Sequence, residues 1–170
     1  MTFRQALCSA AFPILILSSA AASAQSEAEC APFTAFSNAS ERTVYYVDAG
    51  ADGPGPGDQR IGRRTLVDGD GNQIGYFRWV GTVLDVPGDD GQTGETLFDE
   101  VLVFEHGLIM AQSLDTTTVP AQDTNQVTWA TVQPSVVFGG TGPYDGAVGT
   151  ISYSRDDLVL TLTVDISCGD

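Results

Sequence analysis

Several ionisable residues stand inside or directly beside apolar segments of this chain, among them Asp48, Arg78 and Glu100. A charge buried without a partner is costly, so an acid in apolar surroundings acquires a shifted pKa and becomes suited to proton transfer. An arginine in such a setting is suited to polarise an oxygen of a bound substrate. These residue types predict acid–base chemistry on a small molecule, with Asp48, Arg78 and Glu100 as candidate catalytic residues. The alternative is that all three face solvent.

Aromatic side chains lie close to these charges along the chain. We interpret five of them as the candidate lining of a hydrophobic cavity: Tyr45, Tyr46, Phe77, Trp79 and Phe104. Arg78 and Glu100 both occupy even positions of neighbouring predicted strands, which places them on one face if no bulge intervenes. An Arg78–Glu100 pair inside the cavity is one hypothesis, and outward solvation of both side chains is the other.

Other common chemistries lack the residues that they need. His106 is the only histidine, and one histidine cannot build a multi-histidine centre, so we predict no metal site. We interpret His106 as a turn residue, with a general acid or base role as the alternative. The segment 68–72 has the spacing that opens a calcium loop, but Gln73 replaces the required glycine and Trp79 replaces the bidentate glutamate. The chain contains no Gly-x-Ser-x-Gly motif.

Glycine-rich turns separate segments that alternate between apolar and polar residues, as β-strands do. The predicted strands are residues 43–48, 59–67, 73–86, 96–105, 108–113, 125–138, 147–154 and 158–166. Strands at this spacing, with no helical pattern between them, indicate an antiparallel sandwich or barrel. The strand 73–86 is apolar on both faces, which suits a barrel interior on one side and a subunit interface on the other.

The two ends of the chain indicate export. Residues 1–24 combine a positively charged start, a short apolar segment and an Ala-Ser-Ala cleavage pattern, so we predict a signal peptide and a secreted or periplasmic protein. A buried N-terminal helix is the alternative. The remaining residues 25–170 suit a single domain. They retain Cys30 and Cys168, and an oxidising compartment favours a disulfide between these cysteines over two free thiols.

The chain is strongly acidic, with a formal net charge of −15 at pH 7. It has no lysine, and its seven cationic side chains are all arginines, against 22 aspartate and glutamate residues. Such a charge disfavours binding to nucleic acid or to an anionic membrane surface. No segment after the predicted signal peptide is long and apolar enough to predict a membrane span. Solubility explains the charge most simply, and a cationic partner is the alternative.

The segment 138–150 is the most distinctive part of the chain, with five glycines in thirteen residues after an apolar run. Its Gly-Gly-Thr-Gly turn at 139–142 resembles a signature of the allene oxide cyclase-like and dirigent-like β-barrel proteins. The Pro-Gly-Asp at 56–58 and the acidic glycine turn at 68–71 are similar to features of bacterial members. This resemblance covers residues 43–154. It implies an eight-stranded antiparallel β-barrel with a hydrophobic cavity, no cofactor, and assembly as a homo-oligomer, a trimer or a dimer.

The chain departs from the plant cyclases at Tyr46, which stands where those enzymes have an acidic residue implicated in their chemistry. The His-Asp pattern of the dirigent first strand is also missing, although Asp48 matches its acid. The resemblance therefore implies a barrel that steers a small hydrophobic substrate as a cyclase or isomerase, without plant-type allene oxide cyclase activity. A non-catalytic barrel that carries a hydrophobic ligand is the alternative, and a structural protein that assembles through aromatic faces is a third hypothesis.

Overall fold

A computed structural model describes residues 30–50, 55–85, 94–117, 129–131 and 133–169. The predicted signal peptide, residues 1–24, lies outside the described residues, as does the start of the predicted strand 125–138. The strands are β1 Phe33–Asn38, β2 Thr43–Val47, β3 Gln59–Val67, β4 Gln73–Asp85, β5 Gly94–Phe104, β6 Leu108–Thr117, β7 Trp129–Thr131, β8 Ser135–Thr141, β9 Ala147–Asp156 and β10 Val159–Cys168. The only helices in these ranges are short 3₁₀ turns at Ala39–Glu41 and Gly142–Tyr144.

The strands form one antiparallel sheet that closes on itself. Along the sheet the order is β1-β10-β9-β8-β6-β5-β4-β3, and β1 returns to β3 where Phe36 pairs with Val67. These eight strands make a closed barrel, so the predicted fold class is confirmed. β2 pairs with the same edge of β3 farther along, through Thr43 and Arg63, and β7 adds to β6. No helix among the described residues has the length and apolar character needed to cross a membrane.

The first barrel strand differs from the sequence-based expectation. The segment 43–48 was the first predicted strand, but β2 lies outside the ring, and β1, Phe33–Asn38, takes that place. The short 3₁₀ turn Ala39–Glu41 separates the two, so consecutive segments pair with different parts of β3. β1 is short and only half apolar, which weakens its alternation in the sequence.

Apolar side chains fill one half of the barrel interior. In β10 the predicted alternation holds, because Leu162, Val164 and Ile166 are buried while Thr163 and Asp165 are exposed. Equivalent inward positions of the other strands complete this core: Ala35, Leu66, Leu102, Ile109, Ala111, Val137, Ala147 and Ile151. Each is nearly or fully inaccessible to solvent. The predicted apolar face of β10 is thus the inner face of the barrel.

The glycine-rich segment reverses the chain between β8 and β9, as its sequence predicts. Gly139 and Gly140 belong to β8, and the turn itself occupies residues 142–146. Gly142 has a φ of +64°, and a Cβ there would lie 2.1 Å from the carbonyl oxygen of His106. Only glycine tolerates both the left-handed backbone and that close approach. The turn therefore docks against the β5–β6 hairpin, where His106 is a turn residue.

A disulfide joins Cys30 to Cys168 across a sequence separation of 138 residues, which confirms the predicted pairing. Cys168 ends β10, and Cys30 lies just before β1. Because β1 and β10 are paired along their length, the bridge holds the first and last barrel strands together at one end.

Replacing both cysteines, Cys30→Ser with Cys168→Ser, is expected to lower the free energy of unfolding by up to about 5 kcal/mol, because the unfolded chain regains the freedom of a very long loop. Chemical denaturation measures the change. Ser167→Ala, at the exposed neighbour in β10, is the matched control and should change stability little. A double variant as stable as the wild type would contradict this role for the bridge.

Candidate functional site

A layer of polar side chains lies directly above the apolar core inside the barrel. On β3 the inward-facing residue next to Leu66 is Arg64, and on β5 the inward-facing residue next to Leu102 is Glu100. The corresponding inward-facing residues next to the core on β6, β8 and β9 are Ser113, Ser135 and Tyr153. Because side chains alternate along a strand, residues two apart must share the interior. The barrel thus carries ionisable groups in its buried centre.

Above this layer the interior opens into a cavity of about 100 Å³. Its apolar wall is formed by Phe77, Trp79, Phe98 and Leu160, and its polar wall includes Arg64, Glu100, Asp115, Tyr153 and Arg155. The Phe77 ring lies 5.2 Å from that of Trp79 and 6.0 Å from that of Tyr153, centroid to centroid. These three rings form a continuous aromatic surface suited to an apolar or aromatic ligand.

The position of Trp79 depends on the absence of a side chain across the sheet. Gly62 of β3 pairs with Trp79 of β4, and a Cβ at Gly62 would lie 1.9 Å from Cζ2 of the indole. The indole therefore lies flat over the glycine backbone, at the inner surface of the barrel wall. A larger residue at position 62 would push the ring into the cavity.

Glu100 is the centre of a hydrogen-bonded group of buried polar side chains. The Tyr153 hydroxyl donates to Oε2 of Glu100 at 2.5 Å, and it lies 3.2 Å from Oγ of Ser135. Glu100 is only 6% exposed. Burial raises the pKa of Glu100 to about 7, although hydrogen bonds from Ser135 and Tyr153 oppose the shift. The pKa of the Tyr153 hydroxyl is raised well above its ordinary value, chiefly by burial and then by the charge of Glu100.

A second carboxyl group, that of Asp115, lines the same cavity. Asp115 is 3% exposed, and burial raises its pKa to about 6, while the Gln133 N–H donates to its Oδ1 at 3.3 Å. Its negative charge also favours the protonated form of Glu100. Near neutral pH the cavity therefore holds a carboxyl that can either give or accept a proton. Across the described residues, no group of three or more His, Cys, Asp or Glu side chains is arranged to hold a metal ion.

The three predicted catalytic residues are separated by the fold. Glu100 faces the cavity, whereas Asp48 and Arg78 are exposed on the outside. The predicted Arg78–Glu100 pair is wrong, because Glu100 pairs with Trp79 and Arg78 pairs with Val101. Inward positions are odd in β4 and even in β5, so equal parity in number does not mean a shared face. Asp48 accepts a hydrogen bond from the Gly50 N–H at 3.0 Å, within a surface turn.

The predicted cavity aromatics divide into three groups. Phe77 and Trp79 line the cavity. Phe104 lies at the other end of the barrel, with its ring 5.3 Å from that of Tyr144, beside a separate open groove. Tyr45 and Tyr46 are 65% and 56% exposed on β2, and Tyr46 lines a small recess together with Arg64 and Trp79. Of the five predicted aromatics, Phe77 and Trp79 therefore share the cavity with Glu100.

Sequence reasoning missed several residues of the site. Tyr153 follows the buried Ile151 at a spacing of two, so the alternation of β9 would have placed it inside. Asp115 lies beyond the predicted end of its strand at residue 113, whereas β6 extends to Thr117. Arg64 lies on the same face of β3 as Leu66, but the sequence did not show whether Arg63 or Arg64 faces inward. The missing information was which face of each strand points inward.

Comparison with known proteins supports the fold. The structure is similar to one described as pyocyanin demethylase, with a TM-score of 0.56 and 23% identity over 80% of this chain and 99% of that chain. It is also similar to the Diels Alderase AbmU from Streptomyces koyangensis, with a TM-score of 0.50 and 18% identity over 80% of this chain and 69% of that chain. A third similar structure is described as a nonspecific heme-binding cyclase that catalyses a cycloaddition during neoabyssomicin biosynthesis. That match has a TM-score of 0.53 and 18% identity, and covers 80% of this chain and 65% of that chain. No protein-family model matches the sequence, and no curated protein matches it.

Glu100→Gln is expected to flatten the dependence of stability on pH. The folded state holds the Glu100 proton up to a pKa of about 7, while an ordinary glutamate releases it near 4.5. The free energy of unfolding should therefore fall as pH rises from about 4.5 to about 7, by on the order of 3 kcal/mol. Urea denaturation across this range measures the slope.

The matched control for that slope is Asp99→Asn, at the exposed neighbour of Glu100. Asp99→Asn should show the same fall in the free energy of unfolding with rising pH as the wild type. In both variants the raised pKa of Asp115 should cause a smaller fall at lower pH. Equal slopes for Glu100→Gln and the wild type would show that Glu100 is not a buried, proton-holding acid.

Gly62→Ala is expected to lower the free energy of unfolding by roughly 1–3 kcal/mol, because the added methyl group overlaps the Trp79 indole. Gly69→Ala is the control, since a Cβ there would meet no atom within 4 Å. Thermal and urea denaturation compare the two variants. An equal, small effect of both would contradict the close packing of Trp79 on Gly62.

Proposed function

We propose that this barrel binds a small apolar or aromatic molecule in the Glu100 cavity and catalyses its cyclisation or isomerisation by acid–base chemistry. The observation that carries the proposal is a buried carboxyl, with a pKa of about 7, on the wall of an aromatic cavity. Catalytic acids commonly have a pKa matched to the working pH. The names of the similar structures, a demethylase and two cycloaddition enzymes, support a barrel that handles small molecules.

The cavity volume limits what enters it. About 100 Å³ is less than the roughly 150 Å³ of a cavity that holds benzene. We infer that a ring inserts only part of the way into the cavity, while the rest of the ligand extends through the mouth. Contacts with Phe77, Trp79 and Leu160 would select one conformer, and this loss of freedom before reaction lowers the barrier to ring closure.

Glu100 supplies the proton in this proposal. Its protonated carboxyl donates to an oxygen of the substrate, and the resulting carboxylate is stabilised by hydrogen bonds from the hydroxyls of Tyr153 and Ser135. After the carbon skeleton rearranges, Glu100 takes a proton back. Atoms are conserved, so the product is an isomer of the substrate and no co-reactant is consumed.

We also propose that the chain is an exported member of the allene oxide cyclase-like barrels. The closed eight-stranded fold and the disulfide support this placement. A homo-oligomer is part of the proposal, because Val136, Phe138 and Val148 are exposed on the outer face of β8 and β9.

The second candidate function is a non-catalytic carrier of the same kind of ligand. The aromatic wall of Phe77, Trp79 and Tyr153 favours it, because such a wall binds a ring whether or not Glu100 acts.

Incubation with a small-molecule extract from the protein's own source distinguishes the two functions. Catalysis is expected to replace one compound by another of the same mass, detected by liquid chromatography and mass spectrometry. Glu100→Gln should slow this conversion by about 100-fold or more, as expected for loss of a general acid. Asp99→Asn should leave it unchanged.

Two further variants test binding. Leu160→Trp fills the cavity and should abolish ligand retention in native mass spectrometry, whereas Val159→Trp on the exposed face should not. Retention without conversion would support the carrier. Neither conversion nor retention would contradict both functions.

A further inference from the structure

Arg64 is a buried arginine that forms no ion pair with a carboxylate in the part of the chain that the structure describes. It projects from β3 into the barrel and is 9% exposed. Its guanidinium carbon lies 5.7 Å from the centroid of the Trp79 ring. No carboxylate of the described residues forms an ion pair with Arg64, although Glu100 and Asp115 line the same cavity. An uncompensated buried charge is strongly unfavourable, so the folded protein carries a cost that a ligand could remove.

The charges around Arg64 are also positive. A recess of about 30 Å³ adjoins the cavity, shares Arg64 and Trp79 with it, and is lined by Arg42 and Arg60. Arg155 lines the cavity from the opposite strand β9. Four of the chain's seven cationic side chains thus line the cavity or the recess beside it. Burial, then the charges of Arg42 and Arg155, lowers the pKa of Arg64 to about 10, so it remains charged near neutral pH.

The two acids of the cavity do not balance this group. Burial raises the pKa of both Glu100 and Asp115, so near neutral pH part of their negative charge is neutralised by protons. Glu100 is hydrogen-bonded to Tyr153 rather than to an arginine. Among the described residues that line the cavity and the recess, four are arginines and two are carboxylic acids, on a protein whose net charge is −15. The negative net charge of the chain does not explain this cluster of arginines, because a negative surface repels anions.

We propose that the cavity contains an anion-binding subsite in which Arg64 pairs with a carboxylate of the ligand. The ring of the ligand lies against Phe77 and Trp79, and its carboxylate lies between Arg64 and the neighbouring arginines. A planar guanidinium binds a carboxylate through two parallel hydrogen bonds, which also orients the ligand. The inference rests on the proposed function, because it specifies the substrate class of the same cavity as aromatic or cyclic carboxylates.

Two probes of equal shape separate charge from ring binding. Wild-type protein is titrated with 4-fluorobenzoate and, separately, with its neutral counterpart 4-fluorobenzamide, and binding is followed by ligand-observed fluorine NMR. The benzoate should bind at least about tenfold more tightly, as expected for a charged hydrogen-bonded pair. Arg64→Gln should remove this preference and leave the affinity for the benzamide within about twofold, because the ring contacts remain.

The matched control is Arg63→Gln. Arg63 is the adjacent residue, but it faces outward, with its guanidinium 3.8 Å from the ring centroid of Tyr76. The Arg63→Gln variant loses the same charge as Arg64→Gln and should keep the full preference for the benzoate. A salt titration of the wild type provides a second measurement that does not depend on the folding of any variant. Sodium chloride should weaken benzoate binding and leave benzamide binding unchanged.

The outcomes distinguish this inference from the proposed function. Equal binding of both probes to the wild type, or an equal loss of preference in Arg63→Gln and Arg64→Gln, would overturn the anion subsite and leave the ring-binding cavity standing. Benzoate binding that does not respond to salt would also overturn the subsite. If neither probe bound to the wild type, both the subsite and the proposed cavity function would be contradicted.

Discussion

Closure of the sheet between β1 and β3 is the constraint on which the rest of the structure depends. An open sheet would have two faces and two unpaired edges, whereas a closed one has a single interior shared by every inward position. Once β1 pairs with both β10 and β3, the inward residues of all eight strands must pack together. The disulfide between Cys30 and Cys168 stabilises the same closure from the chain ends.

That shared interior is divided into two layers of different chemistry. Leu66, Leu102 and Ile151 lie in an apolar layer that supplies hydrophobic stabilisation. One step along the same strands, Arg64, Glu100 and Tyr153 lie in a layer whose burial is unfavourable by itself. The hydrogen bond from Tyr153 and the raised pKa of Glu100 partly offset that cost. Arg64 has no such compensation from a carboxylate of the described residues, which is why it points to a ligand.

The sequence was informative about strands and less informative about their faces. Alternation in β10 predicted its buried side chains, and the positions of Phe77 and Trp79 predicted part of the cavity wall. Alternation defines two faces but does not say which of them is inside, and for a strand such as β4, apolar on both, it gives no preference. The Arg78–Glu100 pair failed for this reason, since the hairpin register between β4 and β5 places odd positions opposite even ones. The same uncertainty concealed Tyr153, whereas Asp115 was missed because its predicted strand ended at residue 113 and β6 extends to Thr117.

The amino-acid sequence by itself determined the all-β class, the strand-forming segments, the glycine turn before β9 and the pairing of two distant cysteines. These are consequences of local periodicity, backbone freedom and redox chemistry, which a linear chain displays directly. Only the tertiary structure decided that Glu100, Tyr153 and Arg64 share one cavity while Asp48 and Arg78 do not. That outcome depends on the register between strands far apart in the chain. A shift of one residue in any pairing would exchange the buried and exposed faces.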